Sequence, residues 1–478
     1  MSPWRREIRD QLRLALPVIT IQVGLMLMGV VDTLMMGRVS DVEMAAVAIG
    51  NTWHFGMLCF GLGCLQALDP IVSQAFGAGD EPAISRAMQR GLLLALLLSA
   101  PVVGLILLAR PALELFDQPA EVIPIAADYC RVSVFGVPAF LLFVALRQSL
   151  QAQHKMRPLV LTIVCANVLN AALDWMLIHG NFGLPKMGAV GCSWATVVAR
   201  ATQVGALFVF AGPLLWPHLR PLRRGALTLR PLLRMLGLGA PIGVQFMLEI
   251  GAFSIVALLM GKVGAELGLE SDIASLTDHP GSAMIGGHMV SLNLAALAFM
   301  VPLGMSMAAS VRVGNEIGRG NSPGARRAAA VALLGGLLFM SLTSALFLLL
   351  PGTLARAYTD EAGVLAVAVT LLPVAGIFQV FDGAQVVSGG VLRGAGDTRI
   401  PMLVHLFGFW AVGIPFGWYM AFERRLGPAG LWWGLVAGLA AVAVVLLFRV
   451  RSRLSGVVAR VRIEDEESAV PADRVGEA

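Results

Sequence analysis

The stretch LALPVITIQVGLMLMGVVDTLMM, residues 14–36, contains one ionisable side chain, Asp32. As an α-helix rising about 1.5 Å per residue it reaches about 34 Å, enough to cross the hydrocarbon core of a bilayer. A basic segment with Arg5, Arg6, Arg9 and Arg13 precedes it, so the N-terminus mimics a secretory signal. The apolar run from Leu12 to Met36 is too long for one and lacks a small-residue cleavage site, so it reads as a first membrane span. Eleven more apolar runs follow, at 46–72, 91–109, 129–150, 158–179, 188–212, 236–261, 284–310, 328–350, 365–391, 401–422 and 430–448. Each can span as a helix, whose backbone groups satisfy one another where no water can.

Composition agrees. Of 478 residues, 57% are hydrophobic and 14% charged, against about 25% charged in soluble chains. A soluble fold of this length cannot hide so much apolar side chain. Disorder requires low hydrophobicity, and an outer-membrane barrel requires short alternating strands rather than continuous apolar runs. The net charge of +5 comes from basic loops, as membrane topology demands, so it gives no support for nucleic acid as a partner. Cys59, Cys64, Cys130, Cys165 and Cys192 show no paired or metal-binding spacing and read as small hydrophobes.

Twelve spans place both termini on one side. The termini and even-numbered loops carry 26 of the 35 Lys and Arg, the odd-numbered loops carry eight, and Arg200 lies inside a span. The positive-inside rule then predicts cytoplasmic termini in an inner-membrane protein. The tail from Glu464 is acidic and polar and is expected to be disordered.

The two halves resemble each other. Leu16-Pro17 and Met36-Gly37-Arg38-Val39 recur 224 residues later as Ala240-Pro241 and Met260-Gly261-Lys262-Val263. Gly77-x-Gly79-Asp80-x-Pro82 recurs 241 residues later as Gly318-x-Gly320-Asn321-x-Pro323. Gly188-x-x-Gly191 is echoed by Gly427-x-x-Gly430. The order suggests a parallel repeat of two six-helix units, an arrangement suited to a transporter that rocks one half against the other. The expected layout is a terminus over 1–13, a first lobe over 14–212, a basic linker over 213–234, a second lobe over 235–450 and a tail over 451–478. The change in offset marks an insertion near 262–282, with Glu266, Glu270, Asp272 and Asp278.

No phosphate-cradling Gly-x-x-x-x-Gly-Lys-[Ser/Thr], His-Glu-x-x-His or Gly-x-Ser-x-Gly occurs, and no segment is long enough for a soluble catalytic domain. The chain therefore reads as no enzyme, with no cofactor, and any energy source is an ion gradient. That directs attention to carboxylates inside the spans: Asp32, Asp174, Glu249 and Asp382, with Asp69 nearer a helix end. A charge at mid-membrane costs several kcal/mol, so such a group protonates, pairs or binds a cation. Asn170 and Asp174, four apart, share one helix face. Arg200 is a candidate charge partner for Asp174 or Asp32. His288, at a span start, reads as a packing or cap residue. Gly413/Gly417 and Gly434/Gly438 read as close helix contacts within the fold.

These residues resemble the multidrug and toxic compound extrusion (MATE) family, in its bacterial NorM-like branch, across residues 10–450. The carriers in the first half are Val31-Asp32-Thr33-Leu34-Met35-Met36-Gly37, Ser73-Gln74-Ala75-Phe76-Gly77-Ala78-Gly79-Asp80, Asn167-Val168-Leu169-Asn170 with Asp174, and Gly188-Ala189-Val190-Gly191. In the second half they are Pro241 with Glu249, Val311-Arg312-Val313-Gly314-Asn315, and Phe381-Asp382-Gly383-Ala384-Gln385 leading to Leu392-Arg393-Gly394. The resemblance implies two six-helix lobes in a V around a central cavity. It implies export of organic cations against inward flow of Na⁺ or H⁺ by a monomer. By motif, Glu249 and Asp382 resemble the C-lobe coupling-ion site, the Na⁺ ligands if sodium is the ion. Asp32, Asn170 and Asp174 resemble the N-lobe protonation and substrate site. Sodium-coupled relatives often carry Tyr four residues before the span-ten acid, where this chain has Phe378, a candidate cavity aromatic. The alternative is a flippase for lipid-linked precursors, which would need basic residues facing the cavity to hold pyrophosphate.

Overall fold

The computed structural model describes residues 2–37, 39–116, 118–223, 225–267 and 280–463. Among these residues all regular structure is helical. Twelve helices are long and apolar enough to cross a membrane. In chain order they are α1 (Pro3–Met36), α2 (Val42–Gly77), α3 (Glu81–Leu107), α4 (Val122–Ala152), α5 (Arg157–His179) and α6 (Gly188–Leu219). The second half holds α7 (Leu229–Glu266), α8 (Gly281–Gly318), α9 (Ser322–Leu349), α10 (Ala362–Gly394), α11 (Arg399–Glu423) and α12 (Gly427–Ser455).

The repeat is legible in backbone geometry. Asp80 and Asn321 cap the N-termini of α3 and α9, accepting from Ala83 N and Gly324 N at 3.1 Å each. Before each cap stands a left-handed residue, Gly79 (φ 70) or Gly320 (φ 71), a conformation a Cβ would strain. Short helices follow α3 and α9 at Ala109–Leu115 and Pro351–Arg356. Across the interface the copies pack reciprocally. A Cβ on Gly77 would stand 2.1 Å from Asn315 O, and one on Gly318 would stand 2.1 Å from Gln74 O. Both pairs carry the 241-residue offset, so a pseudo-twofold axis runs between them.

Ties between the halves gather at the ends that face the even-numbered loops. Arg312 on α8 donates to both carboxylate oxygens of Glu7 on α1, at 2.9 and 2.7 Å. Gln74 Nε2 donates to Gly394 O at 2.8 Å. Arg393 bonds Gln66 and lies 3.9 Å from Asp69. Gly63 of α2 abuts Gly243 of α7, and Gly239 abuts Cys64. Beyond α12 the chain crosses the same face: Arg460 pairs with Asp80 at 2.9 Å, Val461 N donates to Gln74 Oε1 at 2.7 Å, and Arg234 Nη1 donates to Ile463 O at 3.0 Å. The halves meet at this basic face.

Two boundaries differ from the sequence reading. The stretch 213–234 is only partly a linker, because α6 continues to Leu219 and α7 begins at Leu229. Outside the apolar layer this connection is clamped onto α3: Gln89 Nε2 donates to His218 O at 2.8 Å, Gln89 Oε1 accepts from Arg223 N at 2.9 Å, and Arg90 donates to Gly225 O at 2.8 Å. Of the acidic insertion, Glu266 ends α7 beside Lys262 at 3.5 Å. Glu270, Asp272, Asp278 and the tail from Glu464 lie outside the described residues.

The reciprocal glycine contacts are testable. Gly77→Ala and Gly318→Ala each force a methyl group against a backbone oxygen of the other half, at a cost of about 1–3 kcal/mol. Each variant should unfold at a lower temperature than the wild type in detergent, by similar amounts. A wild-type midpoint for either would contradict the packing described.

Candidate functional site

In the second half, Glu249 on α7 and Asp382 on α10 share one amide. Gln385 Nε2 donates to Asp382 Oδ1 at 3.1 Å and to Glu249 Oε1 at 3.5 Å. Asp382 and Gln385 are three residues apart and so share a face of α10. Gln385 Oε1 lies 2.9 Å from His405 Nε2 on α11. His405 Nδ1 lies 2.8 Å from Pro401 O, so that nitrogen carries the proton. Gln245 of α7 reaches His405 Nε2 at 3.3 Å. Immediately after His405 the helix of α11 widens into π turns over Leu406–Gly413, a distortion common where a helix carries function. Asp382, Gln385 and His405 are buried and Glu249 is half-buried.

In the first half, Asp32 on α1 meets Asn170 and Asp174 on α5 and Cys192 on α6. Carboxylate oxygens of Asp32 and Asp174 and the Cys192 sulfur lie within 4.8 Å of one another. Thr196 Oγ1 donates to Asp32 Oδ2 at 3.2 Å. Asn170 and Asp174 are fully buried, and their side-chain oxygens find no hydrogen-bond partner among the described residues. Buried oxygens left so attract a cation, a shared proton or water. The oxygen set suits a hard cation, and the thiol does not. Two carboxylates this close in a dry site favour one shared proton or cation between them.

Other expectations resolve differently. Arg200 forms no ion pair with Asp32 or Asp174. Its Nη1 donates to His54 Nε2 at 2.8 Å, and its guanidinium lies 4.7 Å from the centre of the Phe140 ring. His54 is thereby oriented to donate from Nδ1 to Ser133 Oγ at 2.8 Å, and Ser133 Oγ donates to Cys130 O at 2.8 Å. A neutral imidazole and an aromatic face thus take the place of a carboxylate as the direct partners of Arg200. Phe378 does not line an open cavity. It is 3% exposed and packs edge-on against Phe253 and Trp432, with centroids 6.1 and 5.7 Å away. The neighbouring rings bury it because all three stand on helices of one apolar cluster. His288 accepts from Trp432 Nε1 at 3.2 Å, a packing role. Gly434 abuts Gly417 and Gly438 abuts Gly413, contacts inside the fold.

The sequence reading did not single out His405, Thr196 or His54, named Gln385 only within a motif, and read Cys192 as a small hydrophobe. Some signals were present. Cys192, Thr196 and Arg200 recur every four residues, one stripe of α6, and His405 is ionisable within an apolar run. His54 carried no spacing that distinguishes it from a packed core histidine.

Residues 17–176 and 272–419 match the MatE family. Multidrug resistance protein PmpM of Pseudomonas aeruginosa is 34% identical over 97% of this chain and 96% of its own length. Multidrug resistance protein NorM of Burkholderia vietnamiensis is 33% identical over 96% of each. Among solved structures, the eukaryotic MATE transporter AtDTX14 superposes with a TM-score of 0.82 at 22% identity, covering 95% of this chain and 98% of that one. The outward-facing conformation of a multidrug resistance MATE family transporter gives 0.80 at 19% identity, over 94% and 96%. Twelve spans, a parallel repeat, two halves joined at one face and an ordered set of matching residues end to end make this chain a member of the multidrug and toxic compound extrusion family.

Proposed function

We propose that this chain is a secondary antiporter of the inner membrane that exports cationic, amphipathic organic compounds in exchange for H⁺ or Na⁺. The observation that carries this is a buried carboxylate cluster in each half, neither neutralised by an Arg or Lys. Relatives named as multidrug resistance proteins support the export reading. The excess of Lys and Arg on the even-loop side supports cytoplasmic termini. Arg200, the cation that a flippase reading would use for pyrophosphate, is engaged by His54 and Phe140, so that reading is not favoured.

Coupling follows from Gln385. Its amide donates to two carboxylates, so it stabilises Glu249 and Asp382 in their charged, ion-free form. An arriving proton or Na⁺ must displace that donation. Turned over, the amide would donate to His405 Nε2 and accept from a protonated Asp382. The orientation of one side chain on α10 then registers ion occupancy to α7 and α11, the helices that carry Glu249 and His405. An ion drives transport only through unequal affinity for the two conformations.

Asp382→Asn should reduce ion-driven ethidium efflux from energised everted vesicles at least about tenfold, the loss of about 1.4 kcal/mol of coupling, with wild-type amounts of folded protein in the membrane. Unimpaired efflux would sink the assignment. Run with and without Na⁺ and with a protonophore, the same assay names the ion. Transport that requires Na⁺ and survives the protonophore identifies sodium, and the opposite pattern identifies protons.

Gln385→Leu removes the donor from the ion-free state. Hydrogen bonds to charged groups contribute about 1.5–3 kcal/mol, so the coupling ion should bind about tenfold tighter and half-maximal transport should shift to lower ion concentration. An unchanged ion dependence would show that the amide does not hold the carboxylates.

A further inference from the structure

On the basic face, a cavity of about 790 Å³ lies between the first turns of α1, the connection from α4 to α5, the last turns of α6 and the end of α8. Its floor is apolar, formed by Leu14, Pro17, Met156 and Leu214. Its rim carries Arg13, Lys155 and Arg157, all exposed. None of these three forms an ion pair among the described residues. The carboxylate in the lining, Asp10, lies 3.8 Å from Arg9 outside the cavity and 3.9 Å from Arg312, not beside the three rim cations. Arg312 also lines the cavity and is bonded to Glu7.

Depth identifies the surroundings. Arg13 and Arg157 immediately precede the apolar runs that open at residues 14 and 158, and Leu214 follows the run that ends at 212. Trp216, one half-turn on, is half-exposed and carries the Arg220 guanidinium 4.7 Å from its ring centre. Trp and Arg at helix ends mark the membrane–water boundary. The cavity therefore places apolar walls at the level of acyl chains and three unneutralised cations at the level of headgroups. Like charges gathered around one cavity repel unless an anion sits among them.

We propose that this cavity binds the phosphate of an anionic phospholipid from the leaflet on the basic face. Basic pockets between membrane helices take such headgroups, each Lys or Arg adding to the attraction. The site joins Arg13 on α1 and Arg157 on α5 to Arg312 on α8, so it touches both halves at the face where they meet. An occupant stabilises the arrangement in which Arg312 is held against Glu7.

The test uses the full chain, delipidated in detergent, with native mass spectrometry read against phosphatidylglycerol, phosphatidylcholine and inorganic phosphate. Phosphatidylglycerol should bind roughly tenfold tighter than phosphatidylcholine. The Arg13→Gln/Lys155→Gln/Arg157→Gln variant should lose that preference. A charge-matched control, Arg399→Gln/Arg451→Gln/Arg453→Gln, should keep it, as should the conservative Arg13→Lys/Arg157→Lys. Competition by millimolar inorganic phosphate would assign the cavity to a soluble anion and overturn the lipid source. An undiminished preference in the triple variant, or equal loss in the charge-matched control, would overturn the site itself.

Discussion

Glu249 and Asp382 lie among helices that present lipid with apolar side chains, where an unpartnered charge costs several kcal/mol. Much of the second half is arranged around meeting that cost without a permanent counter-charge. An Arg in place of Gln385 would neutralise the pair and leave nothing to exchange. A Leu would leave two carboxylates with no donor. The amide stands between these extremes: it donates to both acids without adding a charge. His405, positioned by Pro401 O and Gln245, stands behind the amide and offers it an acceptor nitrogen. The first half solves the same problem differently, with Thr196 donating to Asp32 and Arg200 diverted to His54.

The halves are copies in fold and not in chemistry. Pro17 and Pro241 occupy equivalent places in α1 and α7, yet the equivalent of Asp32 in α7 is Val256. Glu249 lies two turns, about 10 Å, nearer the joined face. The two acidic clusters thus stand at different depths in one fold.

That joined face depends on close backbone approach. Gly77, Gly318, Gly63 and Gly243 let helices of opposite halves touch where any side chain would part them. Charged ties then fasten the contact: Glu7 with Arg312, Asp69 with Arg393, and Asp80 with Arg460. Glycine contacts can part without leaving unsatisfied groups, while the Glu7–Arg312 and Asp69–Arg393 pairs are buried, so each needs its partner.

The chain by itself determined the membrane class, the number of spans, the repeat and the four intramembrane acids. Each of these follows from local composition or from a fixed offset, since a helix must be apolar along its length to cross lipid. Asn170 with Asp174 was legible for the same reason, as two positions one turn apart. What only the tertiary structure decided were contacts between helices distant in sequence. Gln385 joins Glu249 across 136 residues, Arg200 turns to His54 across 146, and Phe378 disappears into a ring cluster with Trp432. Helical periodicity tells which side chains share a face, but not which helix that face will meet. Packing makes that choice, and with it decides which charges are partnered and which remain free to move an ion.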